Sequence, residues 1–239
     1  MHALDFPEKE IIVRAEPENP EKERIRIMLK VVAFDFDGTI ADTIPLALES
    51  WRETVKNYGV IMGDAELFAC FGKNELGIMR DVVGPEKAEE ALELFYRNME
   101  RLHNLCSAPF PGIPELFAEL HAKNIPIVLI TGRSDRCCDI SLDRMNLRPE
   151  FAEIRTGRAD RVNKADHLRE VMKNFGVRPE ELVYLGDAAS DALACREAGV
   201  RCISAGWGTS APLEELRKVN PGMVFSSVAA ASEWILARV

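Results

Sequence analysis

The chain has 239 residues, enough to bury a substantial core in one large domain or in a domain carrying a smaller insertion. Apolar residues make up 47% and charged residues 29%, which excludes wholesale disorder and a collagen-like chain. The formal charge of −9 argues against nucleic acid as a partner and favours a small anion held with a divalent cation.

Residues 1–27 contain "EIIVRAE" and "ERIRIML", which read either as a hairpin across "PENPEK" or as a solvated leader; no function is assigned to them. The N-terminus has neither a basic n-region nor an apolar h-region, and no apolar run approaches the roughly 20 residues of a membrane helix. Cys70, Cys106, Cys137, Cys138, Cys195 and Cys202 form no CxxC pair and no zinc-like spacing with histidine, so they read as free thiols. The expectation is a cytoplasmic protein with no membrane partner.

Six short apolar runs read as strands: "LKVVAF", "IPIVLI", "FAEIRT", "ELVYLG", "RCISAG" and "GMVFSS". From residue 113 onward they alternate with helical segments. In "PELFAELHAKN", Leu116, Phe117 and Leu120 share a face; in "HLREVMKNFG", Leu168, Val171, Met172 and Phe175 do, before Gly176. Such alternation implies βαβ units and a buried, Rossmann-like parallel sheet. From Thr43 to Pro109 the pattern breaks, and "LALESWRETVKNYG", "ELGIMRDVVG" and "EKAEEALELFYRNMERLHNLC" all read as helices. The expected organisation is an α/β core over 28–42 and 110–239 with an all-helical cap over 43–109, hinged near Asp42–Thr43 and near "SAPFPG".

In an open parallel sheet, ligands bind beyond the carboxyl ends of the strands. There the first run delivers Asp35 and Asp37, the second Thr131 and Gly132, and the fourth Asp187 with Asp191 four residues on. Asp35 and Asp37, at i and i+2, share a face. Two carboxylates about 4 Å apart repel by roughly 4 kcal/mol at an effective dielectric near 20, so a cation or protons must join them. An all-oxygen set with few protein ligands suits Mg²⁺ bridging carboxylate to phosphate, and Lys164 adds a second positive charge. One acid attacking an electrophile while the other moves a proton suits a phosphoryl group.

"DFDGTIADT", "LITGR", Lys164 and "YLGDAASDALACREAGV" stand in the order and spacing of the four motifs of the haloacid dehalogenase superfamily, which residues 28–239 resemble. The likeness is to the phosphoglycolate phosphatase-like branch with a helical cap after the first strand. The resemblance implies Asp35 as nucleophile, phosphate contact and metal ligand, and Asp37 as general acid/base that also gives its backbone carbonyl to the metal. It implies Asp187 and Asp191 as metal ligands, Thr131 and Gly132 as holders of phosphoryl oxygens, and Lys164 as the tie between phosphate and nucleophile. The pattern departs in reading "TGR" where capped relatives often carry Thr-Asn or Ser-Asn, which makes Arg133 a candidate substrate contact. Lys-Ala replaces a common Lys-Pro, and Ala188 stands where Ser or Thr is frequent.

Other residues take plainer readings. Thr39 is expected to brace its turn through its hydroxyl, Asp42 to cap the first cap helix, and the four histidines to be solvated. Cys137 and Cys138 read as packing residues. "CFGKNELG" is the candidate substrate-facing loop, with Lys73 a candidate contact. The expected function is a Mg²⁺-dependent phosphatase acting through an aspartyl-phosphate on a small phosphorylated metabolite, as a monomer or homodimer, with phosphoglycolate the leading candidate. A phosphosugar mutase or an inorganic pyrophosphatase would use the same residues. A receiver-like or catalytically retired binding module is the non-enzymatic alternative, but the acids lie in the wrong strand order for a receiver.

Overall fold

The computed structural model describes residues 28–239. The hairpin-or-leader expectation for residues 1–27 lies outside that range. All six strand expectations are met: β1 (Val31–Phe34), β2 (Ile127–Ile130), β3 (Glu153–Arg155), β4 (Leu182–Gly186), β5 (Arg201–Ala205) and β6 (Val224–Phe225). They form one parallel sheet in the order β3-β2-β1-β4-β5-β6. This is the doubly wound α/β order, with its crevice where the direction of winding reverses between β1 and β4.

The strands are apolar throughout because both faces are covered, and alternate residues serve opposite sides. Val32, Phe34, Ile127, Leu129, Val183 and Leu185 pack with α5 (Ile113–Ala122), α6 (Asp135–Arg144) and α10 (Val228–Leu236). Val31, Ala33, Val128, Ile130, Leu182 and Tyr184 pack with α7 (Lys164–Phe175) and α8 (Ala189–Ala198). Leu116, Phe117 and Leu120 of α5 and Leu168 and Val171 of α7 are buried, as their spacing requires; Met172 and Phe175 are only partly covered. A short α9 (Leu213–Val219) precedes β6.

Between β1 and α5 the chain forms α1 (Ile44–Lys56), α2 (Asp64–Ala69), α3 (Glu75–Val83) and α4 (Ala88–Leu102). Helix α2 is too short, at six residues, to show a helical period in sequence. α1 and α4 pair through Trp51 and Phe95, whose ring centroids lie 4.6 Å apart, and through a buried hydrogen bond from Asn98 Nδ2 to Thr54 Oγ1 of 3.0 Å. The two crossings to the sheet lie side by side, with Phe110 donating its backbone N–H to the Ile40 carbonyl.

Several local readings are corrected. Thr39 Oγ1 is buried without a partner, and it is the Thr39 carbonyl that works, accepting the Trp207 indole N–H at 3.0 Å. Asp42 does not cap α1, whose N-cap is Thr43; its carboxylate instead accepts the Thr209 hydroxyl at 2.7 Å. His103, in a 3₁₀ turn after α4, is buried at 1% exposure, because α4 sets that end of itself against α6. All six cysteines are free, and burial pushes the Cys137 and Cys138 thiols up, as packing residues require. Among the described residues no helix is long and apolar enough to cross a membrane.

Candidate active site

The register of β1 with β4 pairs Phe34 with Leu185, so the chain leaves both strands at the same level. Asp35 follows immediately and donates its N–H to the Leu185 carbonyl, while Asp187 follows β4 directly. The loop after β1 then turns at Gly38, whose positive φ of 67° suits glycine; a Cβ there would stand 2.2 Å from Asp187 Oδ2. Two acids from different strands are thereby brought against one tight turn.

Asp35, Asp187 and Asp191 are all buried and offer carboxylate oxygens within 4.8 Å of one another. Lys164, the first residue of α7, reaches between them, with Nζ 3.0 Å from Asp35 Oδ2 and 2.5 Å from Asp191 Oδ1. Asp191 is further fixed by the Ala188 N–H and by the Tyr184 hydroxyl, so it anchors the lysine as much as it faces the crevice. Asp35 Oδ1 is buried without any partner.

Electrostatics follow from this crowding. Burial, and then the charges of Asp191 and Asp37, push the Asp35 carboxyl up to about 7, although Lys164 pulls it down. Burial, with Asp35 and Asp191 beside it, holds Asp187 well above the ordinary carboxylate range. Burial pulls the Lys164 ammonium down, but Asp191 and Asp35 outweigh that, so it stays charged. A hard divalent cation fits this donor set: it would satisfy the orphaned Asp35 oxygen and ionise acids that otherwise cannot all carry charge.

Thr131 and Gly132 follow β2 and are where the sequence placed them. Thr131 is fully buried and its hydroxyl accepts the Arg133 N–H at 3.3 Å, while Gly132 has open space where a Cβ would point. Arg133 and Lys73 are engaged elsewhere in this structure. The Arg133 side chain is turned inward, 4% exposed, and forks onto Asp37 with Nη2–Oδ1 at 2.6 Å and Nε–Oδ2 at 2.9 Å. Thr43 also donates to Asp37 Oδ1. Burial alone would raise the Asp37 carboxyl, but Arg133 and Thr43 bring it below the usual range. Lys73 pairs with Asp81 of α3 at 2.6 Å.

The loop around Lys73 does meet the core, through its neighbours. Asn74 hydrogen-bonds the Gly157 carbonyl and its N–H meets the Arg158 carbonyl; Glu75 accepts the Ser134 N–H at 2.7 Å. Gly77 lies so near the 157–159 loop that a Cβ would stand 2.3 Å from the Ala159 carbonyl oxygen. In sequence Glu75 looks like any first-turn acid, and only the tertiary contact gives it a role.

A family profile described as haloacid dehalogenase-like hydrolase matches residues 32–205. The chain belongs to this family. Within it, the chain is a phosphatase, in keeping with relatives whose names carry that activity. A phosphoglycolate phosphatase of Pseudomonas savastanoi pv. phaseolicola is 30% identical over 213 residues, covering 83% of this chain and 77% of that protein. Phosphoglycolate phosphatase 1 of Pseudomonas aeruginosa is 29% identical over 191 residues, covering 75% and 70%. Among solved structures, CbbY from Rhodobacter sphaeroides in complex with xylulose-(1,5)bisphosphate superposes with a TM-score of 0.71 at 20% identity, over 84% of this chain and 96% of that one. A hydrolase from Pseudomonas syringae gives 0.71 at 21% identity over 83% and 94%. At those identities the structures establish the shared fold.

Proposed function

We propose that this phosphatase uses Mg²⁺ to hydrolyse a small phosphorylated metabolite, with phosphoglycolate the leading substrate. The observation that carries the reading is the buried Asp35, one oxygen held by Lys164 at 3.0 Å and the other without a partner. A carboxylate so held has a fixed direction and keeps one oxygen that no protein group occupies, facing the place where the cation and the phosphoryl group would meet. The substrate itself is supported by the names of the Pseudomonas relatives.

In this reading, an Asp35 oxygen bonds to phosphorus as the bond from phosphorus to the ester oxygen breaks, and Asp37, which Arg133 and Thr43 keep ionised in the free protein, relays a proton from solvent to the departing oxygen. Asp37 then takes a proton from water as that water attacks the aspartyl-phosphate, releasing phosphate and restoring Asp35. Thr131 and the Gly132 amide hold phosphoryl oxygens, and Lys164 ties them to Asp35. Asp35, Asp187 and Asp191 would hold Mg²⁺ with the Asp37 backbone carbonyl, and the bound ion supplies positive charge against the acids and the transferring phosphoryl group. Helices α1–α4 act as a cap over residues 43–109 that excludes bulk water from the reaction.

The test is phosphate release from a panel containing phosphoglycolate, pyrophosphate, β-glucose 1-phosphate and nucleoside monophosphates, with Mg²⁺ and with EDTA, for the wild type and Asp35→Asn. The expected result is Mg²⁺-dependent release that favours phosphoglycolate and disappears in the variant. Preference for another compound would replace the substrate, and release by a folded Asp35→Asn protein would remove Asp35 as nucleophile.

A further inference from the structure

A carboxylate has about four lone-pair positions, two on each oxygen. On Asp37, the Thr43 hydroxyl and Arg133 Nη2 use both of those on Oδ1, and Arg133 Nε uses one on Oδ2. One position remains, on Oδ2, and the Asp37 side chain keeps 27% of its surface open to solvent. Arg133 therefore does more than neutralise Asp37. Its fork fixes the plane of the carboxylate and leaves a single oxygen able to exchange a proton.

Arg133 is itself fixed from behind. Its Nη1 donates to Ser141 Oγ at 2.7 Å and to the Cys137 carbonyl at 3.3 Å, both on α6, and its guanidinium lies 4.8 Å from the Phe36 ring centroid. Ser141 Oγ is in turn 2.9 Å from Nε2 of the buried His103, at the end of the inserted helices. A substrate-binding arginine needs free donors facing the crevice; here four of the five N–H groups, shared over Nε, Nη1 and Nη2, go to protein acceptors, and the side chain is buried.

We infer that Arg133 is a positioning residue that aims Asp37 Oδ2 as the proton-transferring oxygen, and that Ser141, backed by His103, holds Arg133 in place for that task. The inference rests on the proton-transfer role proposed for Asp37 and adds to it which oxygen acts and what directs it. It replaces the expectation that Arg133 contacts substrate.

The experiment is a double-mutant cycle between Arg133→Gln and Asp37→Asn, read with p-nitrophenyl phosphate, whose good leaving group keeps Asp37→Asn measurable while hydrolysis of the aspartyl-phosphate still needs a base. In the wild-type background, Arg133→Gln should lower kcat by about tenfold or more with KM changed less than about threefold. In the Asp37→Asn background the same substitution should cost less than about twofold, because the residue it aims is already gone. Equal losses in both backgrounds would make Arg133 a general structural residue and overturn the inference; a raised KM at unchanged kcat would make it a substrate contact and do the same, as would no loss at all. Should Arg133→Gln not fold, Arg133→Lys keeps the charge but not the planar fork, and the same comparisons apply to it. A wild type that releases no phosphate from any ester would overturn the phosphatase reading together with this one, whereas an active wild type with an additive cycle overturns this one alone.

Discussion

Glu75 Oε2 of α3 accepts the backbone N–H of Ser134 at 2.7 Å, so an acid from the inserted helices closes the start of core helix α6. Ser134 is the N-cap residue of α6 and its own side chain makes no capping bond. Instead its hydroxyl pairs with Tyr96 of α4 at 2.9 Å, and Arg136, two residues on, meets Glu93 of α4 at 2.7 Å. Three contacts within three consecutive residues tie α3 and α4 to one helix start, and the negative end of that tie is placed where the helix dipole favours it.

Glu75→Ala should loosen this tie without unfolding the sheet. Losing a capping acceptor costs about 1 kcal/mol, which corresponds to roughly fivefold faster opening of the contact. Amide hydrogen exchange should therefore rise at Ser134 and in α3 while β1 and β4 keep their protection. Unchanged exchange in α3 would mean that Asn74 and Gly77 hold the contact without Glu75.

The pH dependence of stability has a definite sign. Folded Asp35 is raised to about 7 from its ordinary 3.8, and Asp187 moves the same way. For an acid whose folded value is raised, the stabilising contribution is full below the unfolded value and is lost as pH climbs through the folded one. Metal-free protein should therefore lose stability between about pH 4 and pH 7 on account of Asp35, with Asp187 acting in the same direction. Asp37 is shifted downward, so its contribution is lost only as pH falls below about 4, outside that window. A cation that binds the ionised acids must then stabilise more as pH rises. With millimolar Mg²⁺, Tm should increase by about 5 °C or more at pH 7.5 and by less than half as much at pH 5, in thermal unfolding with and without EDTA. An equal shift at both pH values would separate Mg²⁺ from these acids.

The acids of the crevice were legible because a buried parallel strand fixes its own exit. Four or five apolar residues set the level at which β1 and β4 end, and whatever polar residue follows must face the rim. The helices with a clear apolar stripe, such as α5 and α7, were legible for the same reason. Arg133 was not, since its partner Asp37 lies 96 residues away and no local pattern joins them. His103 was misread as solvated because the charged run around it describes the outer face of α4 and says nothing of the turn that follows. Glu75 and Thr43 carry no sequence signal beyond those of a helix start, and only the packing of α3 and of the Asp37 loop gives them work to do.

The turn at Gly38 makes the tightest demand on a single residue. Its φ of 67° already disfavours a side chain, and a Cβ would overlap Asp187, at 2.2 Å from Oδ2 and 2.7 Å from Cγ. The neighbouring atoms are the carboxylate end of a buried acid that directly follows β4, so the strain of Gly38→Ala falls on the placement of that carboxylate. The positive φ alone should cost about 1 kcal/mol, leaving the fold intact. The larger effect belongs to the cation: displacing one of three converging carboxylates by even a few tenths of an ångström spoils a site that needs near-ideal geometry. Titration of phosphate release with Mg²⁺ should show the half-saturating concentration rising about tenfold or more in Gly38→Ala, with activity partly regained at high Mg²⁺. A variant equally sensitive to Mg²⁺ but uniformly slower would instead place the damage on Asp35 or Asp37, on the same turn, and would take Asp187 out of the ligand set.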